Sequence, residues 1–127
     1  MREVYEAFEG QQEKFGYAQA QRVGDTVYVA GTLGIDKDRQ LPAAFEDEMT
    51  TAYRNIEETL RHFGAGLSNV VEQTIYVTDI DDGIATRPLR KEMFGGKDLP
   101  ASTMIEISKL AIPGARVEIT VHARLDI

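Results

Sequence analysis

Few side chains in this sequence can do covalent or proton-transfer chemistry, and their types narrow the reading at once. There is no cysteine, so thiolate nucleophiles, disulfide frameworks and Cys-based zinc sites are excluded. The two histidines, His62 and His122, have no acidic or histidine partner at a metal-ligand spacing, and no metal site is expected. No G-x-S-x-G elbow surrounds a serine and no glycine-rich phosphate loop follows a strand, which leaves hydrolase triads and nucleotide folds without a motif. What remains is Tyr17 ahead of a strand pair, Glu118 in the last strand, and the hydroxyl pair Ser102 and Thr103 in LPASTMIEI. A carboxylate can take a proton from water and return one to a leaving group, while hydroxyls can orient a polar substrate. Each also has an ordinary reading: a glutamate on an outer strand face is commonly solvated, and a tyrosine at a strand start commonly packs its ring.

The elements that must carry these residues are marked by period and punctuation. GYAQAQRVGDTVYVAGTLGID reads as two strands joined at Gly24-Asp25, a pair suited to a two-residue hairpin. Gly31 and Gly34, in or just past the second strand, predict a bulge or a close backbone approach. In FEDEMTTAYRNIEETLRHFG, Met49, Ala52, Ile56, Leu60 and Phe63 recur every three or four residues, the stripe of an amphipathic helix. Glu46, Asp47 and Glu48 suit its N-terminus, Arg61 and His62 its C-terminus, and Gly64 its stop.

VVEQTIYVTD alternates Val71, Gln73, Ile75 and Val77 against Glu72, Thr74, Tyr76 and Thr78, so a half-buried strand follows and a βαβ crossover with it. Asp81 and Asp82 are candidate helix caps, but Pro88 forbids one unbroken helix, so a short turn and then a helix from about Thr86–Pro88 to Phe94 is expected. STMIEIS and RVEITVHARLD are the last strands, separated by the turn signal Pro113-Gly114. In the final strand Val117, Ile119, Val121, Ala123 and Leu125 share one face, and Arg116, Glu118, Thr120, His122 and Arg124 the other. The order is ββαβαββ: an α+β domain spanning residues 1–127, with the helices on one face of the sheet and water or another subunit on the polar face.

Charge limits the partners. With 21 acidic against 14 basic residues the net charge is −7, which disfavours nucleic acid, and the one basic grouping, Arg87, Arg90 and Lys91, reads as solvated charge. The N-terminus lacks the apolar run of a signal peptide, no window approaches the ~20 apolar residues of a membrane span, and a cytoplasmic location without membrane contact is expected.

Together, GYAQAQRVGDTVYVAGTLGID, TAYRNIEETLRHFGAGLSNVVEQTIYVTDIDD, LPASTMIEI and PGARVEITVHA resemble the Rid family of reactive-intermediate deaminases, also called the YjgF or L-PSP endoribonuclease family. The resemblance runs from about Gly16 to Leu125. It implies a chorismate-mutase-like fold, with one mixed sheet and two helices on one face, assembled as a homotrimer with small-metabolite clefts between subunits. It also implies hydrolysis of enamines or imines to ketoacids and ammonia without a cofactor. Carried onto this sequence, the cleft residues are Tyr17, Gly31, whose backbone faces the ligand, and Glu118, which positions or activates water. Deaminase members have an arginine after the Pro-Ala that grips the substrate carboxylate in a planar fork; Ser102 stands there here, with Thr103 beside it. Arg87, before the helix-breaking Pro88, replaces the family's usual polar residue, and it is a candidate for restoring the missing charge from a new direction. The expected partner is therefore a small enamine, imine or related metabolite, with a different anion or a longer chain. Two alternatives stay open: a non-catalytic ligand-binding or protein-stabilising trimer, and a ribonuclease, against which the acidic charge and the lack of a paired catalytic histidine weigh.

Overall fold

The polar–apolar alternation of the last strand organises the molecule, which the computed structural model describes over all residues 1–127. Strand β6 covers Val117–Arg124, and its Val117, Ile119, Val121 and Ala123 are buried while Glu118, Thr120, His122 and Arg124 are not. It runs antiparallel between β3 (Thr26–Leu33) and β4 (Val70–Val77). The helix α2 (Phe45–His62) that links β3 to β4 packs on the apolar face, burying Met49, Ala52, Tyr53, Ile56 and Leu60. Burying Met49, Ile56 and Leu60 contributes about 1.5–3 kcal/mol each. The helix stops where Gly64, at φ +75°, and Ala65 turn their N–H groups back to Arg61 and Leu60.

The hairpin of β2 (Ala20–Val23) and β3 turns through Gly24, at φ +60°. Beyond β4 the chain forms α3 (Ile80–Ala85) and α4 (Arg87–Met93), then returns as β5 (Ala101–Glu106), parallel to β4 at the sheet edge. Two elements lie outside the sequence expectation: β1 (Arg2–Tyr5), paired to β2, and the short helix α1 (Gln11–Phe15). The sheet is thus mixed and six-stranded, in the order β1-β2-β3-β6-β4-β5. The α+β class and the strand–helix order after residue 16 agree with the sequence reading; the helix count does not, because the expected short turn before Thr86 is the helix α3. Its cap is Asp79, whose carboxylate accepts from the N–H groups of Asp81 and Asp82 at 2.9 and 3.2 Å, so those two residues are capped rather than capping. Pro88 falls in the first turn of α4, where its missing N–H costs nothing. In β4, Val70 rather than Val71 points inward, because a register shift between Val70 and Glu72 moves Val71 to the open face.

Glu48 stands in the first turn of α2 as expected, but it does more than complement the helix terminus. It is fully buried, accepting from the Arg116 backbone N–H and from its Nε, each at 2.7 Å. Arg116, just ahead of β6, turns toward α2, with its guanidinium also donating to the Pro42 carbonyl at 2.9 Å and lying 5.7 Å from the Phe45 ring centre. This pair pins the start of β6 to the first turn of α2. Removing the arginine strands a buried carboxylate, so Arg116→Ala should lower unfolding free energy by about 3–5 kcal/mol, and Glu48→Gln, which keeps one acceptor, by clearly less. Urea unfolding of the two variants checks the order.

Candidate functional site

Glu118 sits on the open face of the sheet, opposite Leu33 of β3 and Tyr76 of β4. The β3–β6 register slips between Val29 and Thr32, a bulge centred on Ala30 and Gly31. Gly31 has no side chain, and the Glu118 carboxyl occupies the space one would fill: a Cβ there would collide with Oε1 and lie 2.7 Å from the carboxyl carbon. The bulge expected from the glycine is present, and its consequence is that a carboxyl lies directly against backbone. Glu118 takes part in none of the chain's ion pairs. Partial burial pushes its pKa above the ordinary glutamate value of 4.5, since desolvation disfavours the charged form. The arrangement gives an unpaired carboxyl that holds its proton more readily than an exposed glutamate, a property suited to proton exchange.

Tyr17 lies in the bend between α1 and β2, half-exposed. A line of amide hydrogen bonds that the sequence did not announce holds this region. Buried Gln11 accepts from the Ala7 N–H at 2.8 Å and donates to Gln19 at 3.0 Å, Gln19 donates to Thr32 Oγ1 at 3.3 Å, and Thr32 donates to the Ala30 carbonyl at 2.9 Å. The chain ends at the bulge, so α1 and the segment after Tyr17 are tied to the backbone beside Glu118. Glutamines are ordinarily solvated, and only the fold reveals that Gln11 is not.

The remaining candidates divide between the two faces of the sheet. Thr103 pairs with Thr74, itself opposite Thr120, which puts it on the open face with Glu118. Ser102 pairs with Gln73, which is buried toward the helices and accepts from the Tyr53 hydroxyl at 2.6 Å. Ser102 therefore lines the helix side, in a groove of about 430 Å³ with Ile80, Ile84, Arg87, Arg90 and Met104. A hollow of about 250 Å³ shares Arg87, Arg90 and Ser102 and adds Gln73, Lys91, Phe94, Leu99 and Pro100. Arg87 and Ser102 thus come together, whereas Tyr17, Gly31 and Glu118 line neither space. Arg90 and Lys91, read from the sequence as solvated charge, face the same space as Arg87. Their spacing of three and four residues from Arg87 on one helix was the available signal. No three His, Asp or Glu side chains are grouped to hold a metal ion, and no helix is long and apolar enough to cross a membrane.

Residues 11–125 match the sequence profile of the family described as endoribonuclease L-PSP. The chain belongs to the Rid/YjgF family. It is 34% identical over 105 residues to the RutC family protein UK114 of Drosophila melanogaster, and 33% identical over 105 residues to a rat protein named 2-iminobutanoate/2-iminopropanoate deaminase. Each alignment covers 81% of this chain and 75% of the relative. Among solved structures, Rv2704 of Mycobacterium tuberculosis, a member of the YjgF/YER057c/UK114 family, is 33% identical with a TM-score of 0.85, and covers 98% of this chain and 99% of its own. YyfA of Yersinia pestis, of the Rid family, is 26% identical with a TM-score of 0.86 over the same shares. The fold of this Rid/YjgF chain is accordingly the chorismate-mutase-like one.

Within that fold two glycines face different neighbours, and their substitution should behave differently. At Gly31 a methyl group meets the movable end of Glu118; at Gly34 it would collide with the Glu48 backbone carbonyl of α2 and lie 2.7 Å from the Glu48 Cγ. Gly31→Ala should therefore cost less than about 1 kcal/mol while displacing the carboxyl, and Gly34→Ala about 1–3 kcal/mol through overpacking. Thermal unfolding, together with a crystal structure of Gly31→Ala, checks both.

Proposed function

We propose that this protein hydrolyses a small imine or enamine to a carbonyl compound and ammonia, with Glu118 as the proton-transferring group. The observation that carries the reading is the Glu118 carboxyl held against the Gly31 backbone, half-desolvated, unpaired, and raised in pKa. Family membership and relatives named as 2-iminobutanoate/2-iminopropanoate deaminases supply the reaction class. In the reaction the substrate, an enamine after protonation on carbon, reacts as its protonated imine: water adds through oxygen to the C=N carbon as Glu118 takes one of the water's protons. The carboxyl returns that proton to the amine nitrogen, and the C–N bond breaks as the carbinol O–H passes its proton to Glu118 or solvent, which leaves the C=O group and ammonia. No cofactor is needed for these steps. Tyr17 shapes the pocket, Thr103 and Ser102 bind the substrate's polar end, and Arg87 supplies the positive charge that Ser102 lacks.

The working site lies between subunits of a homotrimer. This part of the proposal is supported by the separation of the candidates within one chain: Glu118 and Thr103 belong to the open face, Ser102 and Arg87 to the helix side. A second copy presenting its open face near the β5 edge would bring the two halves together. Exposed apolar chains on the sheet, including Tyr28, Val71 and Ile105, are consistent with a covered face. Ser102, where deaminase members have an arginine, favours a second reading, a trimer that binds the metabolite without turning it over.

Ammonia release separates the two. Glu118→Gln should slow hydrolysis of 2-iminobutanoate by about 10²–10⁴-fold. The wild-type rate should rise with pH through a pKa above 4.5, because the base must be ionised and burial raises its pKa, and that limb should vanish in the variant. Stability moves the other way: a carboxyl whose pKa is raised by folding contributes least once pH exceeds that folded value, so Glu118→Gln should not lower the unfolding midpoint at pH 7. Wild-type release no faster than buffer across several imines, with one and with two acidic groups, would leave the binder, and full activity in a monomer would overturn the shared site.

A further inference from the structure

The groove between α4 and β5 holds more positive charge than a single carboxylate needs. Arg87, Arg90 and Lys91 project from one side of α4, and none of them takes part in the ion pairs of the chain. Arg90 is partly buried and fixed in direction: its Nε donates to Thr86 Oγ1 at 3.1 Å, and Thr86 is itself buried with its hydroxyl donating to the Gly83 carbonyl at 2.7 Å. A second contact, from an Arg90 terminal nitrogen to the Gly83 carbonyl, is long at 3.5 Å, which leaves most of that guanidinium's donors free. Glu106, a carboxylate on the helix-facing side of β5, is engaged by the Ile80 N–H at 3.0 Å. Desolvation, opposed by Tyr53 and joined by the smaller effect of the like charge of Arg87, lowers the pKa of Arg90, and a bound anion would offset the cost of the buried charge.

The shape of the space matches the charge. Its two lobes share Arg87, Arg90 and Ser102, and Lys91 belongs only to the second. Ser102, one of the three shared residues, carries only a short hydroxyl side chain and adds little bulk where the two hollows adjoin. We propose that this groove takes a small acid with two anionic groups, the first held by Arg90 and Arg87 beside Ser102, the second by Lys91. The inference rests on the reading of this groove as the ligand-anchoring half of the site, and it names the substrate class: an imine or enamine acid carrying a second carboxylate or a phosphate-like group. Arg90 is the fixed receptor and Arg87 the exposed, movable one, a pairing suited to a planar carboxylate.

The test uses unreactive acids of matched length, titrated calorimetrically into the full-length protein at low salt: butanoate, succinate and 3-phosphonopropanoate. At least one dianion should bind about tenfold or more tightly than butanoate, and high salt should weaken that preference. The tighter of the two identifies the second group as planar or tetrahedral. Lys91 is exposed, so Lys91→Ala keeps the fold, and it should bring dianion affinity down to that of butanoate while leaving butanoate unchanged. Arg90→Gln, checked for an unaltered unfolding midpoint, should weaken all three. Equal binding of the three acids, no binding by any, or a preference that survives Lys91→Ala would overturn the proposal. The same titrations in a protein that releases no ammonia keep the two readings apart: dianion preference without turnover supports this inference and defeats the hydrolase, and turnover without dianion preference does the reverse.

Discussion

The alternation of β6 is the constraint on which the rest depends. A strand's side chains change face at every residue, so the burial of Val117, Ile119, Val121 and Ala123 under α2 commits Glu118, Thr120 and His122 to the opposite side. A slip of one residue would place a carboxylate in the core and four aliphatic chains in water, a change far larger than the net stability of a small domain. The position of Glu118 is thus enforced by its neighbours' hydrophobicity rather than by any bond of its own. The Glu48–Arg116 pair adds a second pin at the start of the same strand, so α2 and β6 are locked in both packing and register.

Around that strand, two glycines and a line of amides convert register into local geometry. Gly34 lets β3 run close under the first turn of α2, while Gly31, in the bulge, leaves room for the Glu118 carboxyl. The amide chain from Gln11 to Ala30 then fixes the backbone beside that room. Each buried donor in it has a partner, and no buried side-chain polar atom in the molecule is left without one. A carboxyl supported in this way has one face toward protein and one toward the open side of the sheet. Its raised pKa follows from that half-exposure.

What could be read in the sequence was what repeats. The stripe of α2, the hairpin at Gly24 and the alternation of β6 are periodic over many residues, and each is present, except that Arg116, read onto the polar face, lies just ahead of β6 and turns to the helix side against Glu48. Strand β1 has four residues with no buried side chain among them, so it carries no alternation and exists through its pairing with β2. Helix α1 spans five residues between glycines, too short for a stripe, and its one buried chain is the polar Gln11. At α3 the capping residue is Asp79 rather than Asp81 or Asp82, because three aspartates lie within four positions and only backbone direction tells which accepts. For the site, residue type and the family resemblance pointed to Glu118, Gly31 and Ser102, but no local pattern states that Ser102 and Glu118 occupy opposite faces. That division arises from the registers of β5, β4 and β6, three strands separated in sequence.

The same registers bear on how a ligand's anchor can change position. Ser102 stands on an edge strand paired on one side only, where a long side chain has little packing to direct it. Arg90 stands on a helix, with Thr86 holding its Nε and Tyr53 and Phe94 packed edge-to-face nearby in the core, 5.4 Å between ring centres. A guanidinium held at its base loses less rotamer entropy on meeting an anion than one projecting freely from an edge. In the proposed reading, moving the positive charge from strand to helix therefore does more than replace what Ser102 lacks. The anchor becomes part of the packed layer, and the strand position it leaves open admits a larger guest between the two lobes. Pro88 fits this arrangement, because it starts α4 immediately after Arg87 and sets Arg87, Arg90 and Lys91 on a separate helical turn from α3. The break in the helix and the missing strand arginine then have one physical explanation in place of two.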